Sequence, residues 1–229
     1  MSTLAPPALP PASAARPPEI AAALRRTLGQ DRLRPYADTA GCLPGGLRLY
    51  RWNAAVAAAM FEVLGTVEVA VRNAVDAALA GAVPGGRWWE PAWWPGRRPP
   101  RPDLAVAVAR AAGRRDRHGA TVTGLGLAFW TELLSDRHDD DLWAPVLRHA
   151  FTGPLPDGSR QGLHRALVRL LALRNRIAHH EPVHGQDLAA LHHDALAVLG
   201  AICPLTAEWA ARTSRVPALL DQDPRRIAV

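Results

Sequence analysis

The ten residues from Leu173 to Pro182 read LRNRIAHHEP and gather the side chains of this chain best suited to chemistry. Arg174 carries a permanent planar cation that can fork two hydrogen bonds onto a phosphate or a carboxylate. His179 and His180 supply imidazoles that exchange protons near neutral pH. Asn175 precedes His179 by one helical turn, so its amide can orient that ring. A cation, a proton carrier and an orienting amide on one helix are the parts of an acid–base site acting on an anionic substrate.

These residues need a scaffold. Ser159 can cap a helix running through LHRALVRLLALRNRIAHH, which Pro182 must end because proline pushes the residue before it out of the α region. On a helical projection Leu163, Ala166, Leu167, Leu170, Leu173 and Ile177 form one stripe with Arg174 in its middle. A guanidinium facing a core or an interface is costly unless paired. Glu68 is a matching anomaly, lying in the stripe of Phe61, Leu64, Val71, Val75 and Leu79 on a long proline-free helix from Leu47 to Ala80. The reading places Glu68 near Arg174 or Arg176; the competing arrangement pairs it with Arg72 at i+4. Arg174 and His179 stand about 140° apart on an ideal helix. They converge only if the last turn unwinds or a second protomer contributes, which points to a dimeric site. At the helix C-terminus the macrodipole favours protonated His179 and His180, as a general acid requires.

Other motifs compete for attention. His180 to His184 spells H-E-x-x-H, the zinc-binding pattern of metalloproteases, but Pro182 breaks the helix that would align both rings, so no metal or other cofactor is expected. Residues 82–102 form a Gly- and Pro-punctuated loop containing Trp88, Trp89, Trp93 and Trp94. These rings can stack on nucleic-acid bases or clamp the loop onto a helical bundle. His138 to Asp141 reads HDDD, carboxylates suited to a helix start or, less simply, to a metal.

The remainder bounds the class. The chain has 229 residues, 48% of them hydrophobic, and a formal charge of +6 in which all 27 basic residues are arginine. Two cysteines allow neither a disulfide framework nor a four-cysteine zinc site. The N-terminus lacks the charged and apolar regions of a secretory signal, and no stretch reads as a membrane span, so a cytoplasmic protein with no membrane partner is expected. Residues 1–18 hold six prolines and read as a disordered tail, residues 19–213 as a helical domain, and residues 214–229 as a second tail. No alternating strand pattern occurs. The expected fold is an all-α bundle of about six or seven helices.

The string LRNRIAHHEP resembles the signature of the HEPN superfamily in its Abi-like (abortive infection) branch: Arg, usually Asn, a few residues, then His. LYRWN at Leu49 to Asn53, VEVAVRN at Val67 to Asn73, the tryptophan-rich loop and LAFWTELL at Leu127 to Leu134 resemble that branch in the same order, over most of residues 47–210. The resemblance implies an HEPN-like helical domain that forms a homodimer, with two motifs meeting in a cleft, and metal-independent endoribonuclease activity in many members. Arg174, Asn175 and His179 are the residues it carries over, and His180 belongs to the same string; Glu68 and Arg176 support them through the helix-stripe argument above. In that activity the 2′-hydroxyl of RNA attacks the adjacent phosphorus, imidazoles move the protons and the guanidinium meets the developing charge, which selects RNA over DNA. It further implies a role in phage defence or as the toxin of a toxin–antitoxin pair, with an RNA or protein antitoxin as partner. The alternative is a non-catalytic module of the same fold that binds RNA, nucleotide or protein. Basic charge collects in residues 82–118, with eight arginines against three acids, and in residues 159–185, with five against one. Arg97, Arg98, Arg101, Arg165 and Arg169 are therefore candidate contacts to RNA phosphates.

Overall fold

The structure, a computed structural model, describes residues 17–90, 93 and 102–226. Among them are ten α-helices and no β-strand: α1 Pro17–Leu28, α2 Gln30–Ala40, α3 Leu43–Ala82, α4 Asp103–Ala111, α5 Arg117–Thr123, α6 Leu127–Glu132, α7 Arg160–Ala178, α8 Leu188–Ile202, α9 Pro204–Thr213 and α10 Val216–Asp221. The all-α class is as the sequence predicts, but the helix count is higher. Two helices precede Leu43. Residues 102–117 are not one helix: α4 stops at Ala111, Ala112 leaves the helical region at ψ 134° and Gly113 follows at φ 76°, so that α5 starts separately. Residues 216–221, read as tail, form α10. The carboxylates of HDDD open no α-helix: they lead into a π turn at Asp139–Trp143 and then a 3-10 turn at Leu147–Ala150, with Pro145 between them.

The chain divides into two compact units. Among the described residues the first comprises 17–52 and 223–226. Within it α1 and α2 meet at Gly29, whose φ is 86°, and α2 ends on Gly41 at 72°. Gly46 lets α3 approach α2, since a Cβ there would come within 2.7 Å of the Ala37 backbone. Buried Tyr36 meets Tyr50 edge-on, ring centroids 5.1 Å apart, and burial holds its hydroxyl above the usual tyrosine range. Arg225 forks onto the buried Asp223 and lies over the Trp52 ring at 5.4 Å.

The second unit, residues 53–222, is built on the remainder of α3. Val56, Met60, Leu64, Val67, Val71, Val75 and Leu79 form its fully buried seam, recurring at the spacing of one helix face. Phe61, placed in this seam by the sequence reading, is exposed; Val67 holds the inward position instead. The helix passes through Gly65 without interruption. By length and composition α3 can cross a membrane, with a mean hydropathy of 1.8 over its most apolar window and 39% of that window buried within the protein. The expectation that no stretch approaches a span is thus corrected on those two measures.

Leu163, Ala166, Leu167, Leu170 and Leu173 of α7 and Ala195, Val198 and Leu199 of α8 are buried in the same unit. Trp88, Phe129 and Trp130 form a ring cluster with centroids 5.0–6.1 Å apart. Local polar groups fix the helix starts: Ser159 accepts from the Gly162 N–H at 3.0 Å, Asp187 from Ala190 at 3.0 Å and Asp116 from Gly119 at 2.8 Å.

Candidate functional site

Helix α7 ends at Ala178, and its closing turn determines where the motif side chains stand. His179 is the last capping residue, followed by His180 in the left-handed region at φ 56°. The His180 N–H donates to the Ile177 carbonyl at 2.9 Å and the Glu181 N–H to the Arg176 carbonyl at 2.8 Å. This pair of bonds is the Schellman termination, which ordinarily places glycine where His180 stands. Both imidazoles are exposed as a result.

The segment after the turn is fastened at two points. The Arg176 guanidinium donates to the Pro182 carbonyl at 3.4 and 3.2 Å and lies 3.4 Å from the Glu181 carboxylate. Asn53, buried on α3, accepts from the N–H groups of Val183 at 2.8 Å and His184 at 3.0 Å through one oxygen, and Val183 is fully buried. Residues 180–184 are therefore a pinned turn rather than a helix. The two histidines of H-E-x-x-H do not share a helical face.

Arg174 faces α3. Its Nε lies 3.8 Å from Oε2 of Glu68, an ion-pair distance too long for a hydrogen bond. That Nε is buried and has no hydrogen-bond partner, while 37% of the Arg174 side chain remains exposed. Glu68 thus meets Arg174 rather than Arg72, whose Nε turns to Asn73 at 3.4 Å. The expected orientation of His179 by the Asn175 amide is not seen. Asn175 is exposed and joins His179 only through its backbone carbonyl, at 3.0 Å. Among the described residues no hydrogen bond or ion pair links the side chains of Arg174, Asn175 and His179.

The proposed phosphate contacts divide. Arg165 pairs with Asp157 at 2.9 Å, and Arg169 forks onto Asp194 at 2.7 and 2.9 Å. Both would have to exchange a carboxylate for a phosphate. Arg97, Arg98, Arg101 and Trp94 lie outside the described residues. Trp88 and Trp89 are buried, which leaves them as anchors and not as stacking platforms.

Three constellations escaped the sequence reading. Asn53 was quoted only within LYRWN, and nothing local marks an asparagine as the acceptor for a turn 130 residues away. Asp76 of α3 accepts from the Trp88 indole N–H at 2.7 Å and holds His118 Nε2 at 3.0 and 2.9 Å from its two oxygens, with Trp89 edge-on to the His118 ring at 4.8 Å. The W-W pair was visible, but its acidic partner lay in an unremarkable helical heptad. Finally, Arg160 is buried, donates to the Leu134 carbonyl at 2.7 Å and to Asp139 at 3.1 Å, and so holds the start of HDDD. His138 is buried with Nδ1 3.2 Å from Asp141, and burial lowers its pKa. HDDD is thereby occupied by Arg160 and His138.

Compared with known proteins, the chain matches no family model, no curated protein and no solved structure.

Proposed function

We propose that the protein is a metal-independent endoribonuclease of the HEPN type, active as a homodimer. The observation that carries this reading is the state of Arg174: a guanidinium drawn toward Glu68 with an unbonded Nε, five positions before an exposed His179 at the end of the same helix. Glu68 fixes the cation without the close bidentate contact that would saturate it, leaving outer N–H groups for a phosphate. His179 takes the proton of the 2′-hydroxyl or delivers one to the departing 5′-oxygen. The O–P bond forms as the P–O5′ bond breaks, giving a 2′,3′-cyclic phosphate and a 5′-hydroxyl. Arg174 stabilises the charge gathered on the non-bridging oxygens. Arg176 and Asn53 act at one remove, holding the turn that presents His179 and His180.

One observation favours a second reading. Among the described residues no hydrogen bond joins the His179 imidazole to the side chain of Asn175 or Arg174, so a lone protomer has cation and imidazole but no oriented pair. A second protomer can complete the pair; without it, the fold serves as a non-catalytic module binding RNA, nucleotide or protein. The supposed biological role is phage defence or toxicity restrained by an antitoxin, and it rests on the family resemblance.

The deciding experiment incubates the full-length protein with RNA in EDTA. Fragments ending in cyclic phosphate, lost in His179→Ala and Arg174→Ala and absent when the substrate carries 2′-deoxyriboses, support the nuclease. RNA binding that survives both substitutions, with no cleavage of any RNA, supports the module.

A further inference from the structure

Four arginines, Arg110, Arg114, Arg115 and Arg117, stand within eight residues across the end of α4 and the start of α5. Among the described residues none of them enters an ion pair, and all four are exposed. This sets them apart from the arginines of α7, where Arg165, Arg169, Arg174 and Arg176 each face a carboxylate. The one acid in their midst, Asp116, is committed: its Oδ1 accepts from the Gly119 N–H to cap α5. Four cations so close along the chain, with Asp116 as the one acid among them, make this a net positive surface.

The charges also border a concavity. A groove of about 640 Å³ is lined by Arg110 of α4, by Arg114, Arg115 and the capping carboxylate of Asp116 in the turn that follows, and by Gly119, Ala120, Thr123 and Gly124 along α5 and its end. Its volume lies within the range of ligand-binding clefts. The α5 side is made of small residues for packing reasons. A Cβ on Gly124 would press to 3.3 Å of Ala107, and one on Gly119 would strike the capping carboxylate of Asp116. These side chains leave room for a phosphate to approach the backbone between the guanidinium groups.

We propose that this groove binds the phosphodiester backbone of single-stranded RNA, anchoring it at a place separate from the residues assigned to cleavage. The choice of RNA rests on the nuclease reading above; the recognition of repeated phosphates rests on the groove itself. The occupant is extended and not a compact anion, because the arginines are strung along an open surface and do not converge on one buried point. The guanidinium groups address phosphates, which every nucleotide carries alike, so binding is indifferent to sequence and sugar. Its strength falls with salt by a slope of about 0.7 per phosphate contact on a single strand.

The test measures fluorescence anisotropy of a short labelled single-stranded RNA of mixed sequence, using full-length His179→Ala protein so that cleavage cannot intervene. The triple change Arg110→Ala, Arg114→Ala, Arg115→Ala should weaken binding on the order of tenfold to a hundredfold and flatten the salt dependence by about 0.7 per arginine removed. The corresponding triple lysine variant should recover most of the affinity, which shows that charge and not a folding defect was lost. Single-stranded DNA of the same sequence should bind equally well. Affinity unchanged in the alanine variant overturns the proposal, as does displacement of the RNA by tripolyphosphate at equal charge concentration, which identifies a compact-anion site. If wild-type protein cleaves nothing while these binding differences persist, the nuclease reading fails and the groove stands.

Discussion

Asn53 and Val183 are joined by a 2.8 Å hydrogen bond although 130 residues separate them. The same oxygen also takes the His184 N–H, so one amide satisfies two backbone donors of the turn beyond the motif helix. Removing the acceptor from a buried site strands both donors, each at about 1–3 kcal/mol. Asn53→Ala should therefore destabilise the protein by about 2–4 kcal/mol in urea unfolding, whereas Asn53→Asp, which keeps an acceptor, should lose less. A change below about 0.5 kcal/mol in Asn53→Ala, the size of an ordinary surface substitution, would show that the turn is held by other contacts.

The Glu68–Arg174 pair separates function from stability. Both side chains are partly exposed, so the pair is worth at most about 1 kcal/mol to the fold. Arg174→Ala should leave the melting temperature nearly unchanged while lowering RNA cleavage by about 10²–10³-fold, the loss typical of one transition-state donor. Glu68→Gln should give a smaller loss, expressed in kcal/mol terms neither in folding nor in RNA affinity but in the turnover rate. Equal activity of Arg174→Ala and wild type would remove Arg174 from the mechanism.

His180 offers a test of strain. Its φ of 56° suits glycine, and relieving a non-glycine residue there is worth about 1 kcal/mol. His180→Gly should raise the melting temperature by about 2–4 °C. If cleavage falls while stability rises, the imidazole earns its strained position by taking part in catalysis; unchanged cleavage assigns it to the turn alone.

Stability should fall in mild acid. Burial lowers the pKa of His138, His164 and His192, with Arg160 adding to the effect at His164 and His193 at His192. Below the ordinary histidine value, about 6.5, the unfolded chain takes up protons that the folded chain refuses, so unfolding gains with each step toward lower pH. The contribution is fully present above that value and is lost as pH drops toward the folded pKa values. Urea midpoints should decline between about pH 7 and pH 5, and His138→Gln should flatten the decline. A midpoint independent of pH across that interval would contradict the burial of these rings.

Arg160 should be the most damaging of the arginines to lose. It is buried against the Leu134 carbonyl and Asp139. Asp139 is 41% exposed, so its charge stays solvated, and the loss comes from stranding the buried Leu134 carbonyl, about 1–3 kcal/mol. Arg160→Ala measured by urea unfolding should approach that figure, while Arg165→Ala, whose pair is exposed, should cost under about 1 kcal/mol.

Legibility in the sequence followed the range of the interaction. The helix start at Ser159 was readable because a cap acts on residues three positions away. The seam of α3 was readable except at Phe61, since periodicity alone does not decide which of two adjacent faces turns inward when valines occupy both. Glu68 stood out because a carboxylate in an apolar stripe demands a partner, and Arg174 was the matching exception on the other helix. Asn53 and Asp76 carried no such contradiction: each is a polar residue on a helix, and its partner is known only once the chain has folded. The break between α4 and α5 is not legible locally, because Gly113 can be tolerated within a helix or can end it, and the choice belongs to packing.

Helix α3 contributes Asn53, Glu68 and Asp76 from one rigid rod. At about 1.5 Å per residue, some 23 Å separates the first two. Such a rod measures distance and angle together: one residue inserted between them turns everything beyond it by about 100°. Related chains should then vary freely in the composition of this helix's outer face while holding its length constant. Insertions and deletions would be tolerated beyond Ala82 and forbidden between Asn53 and Asp76, a pattern that deep mutational scanning would show as a gap in length changes with no matching gap in substitutions.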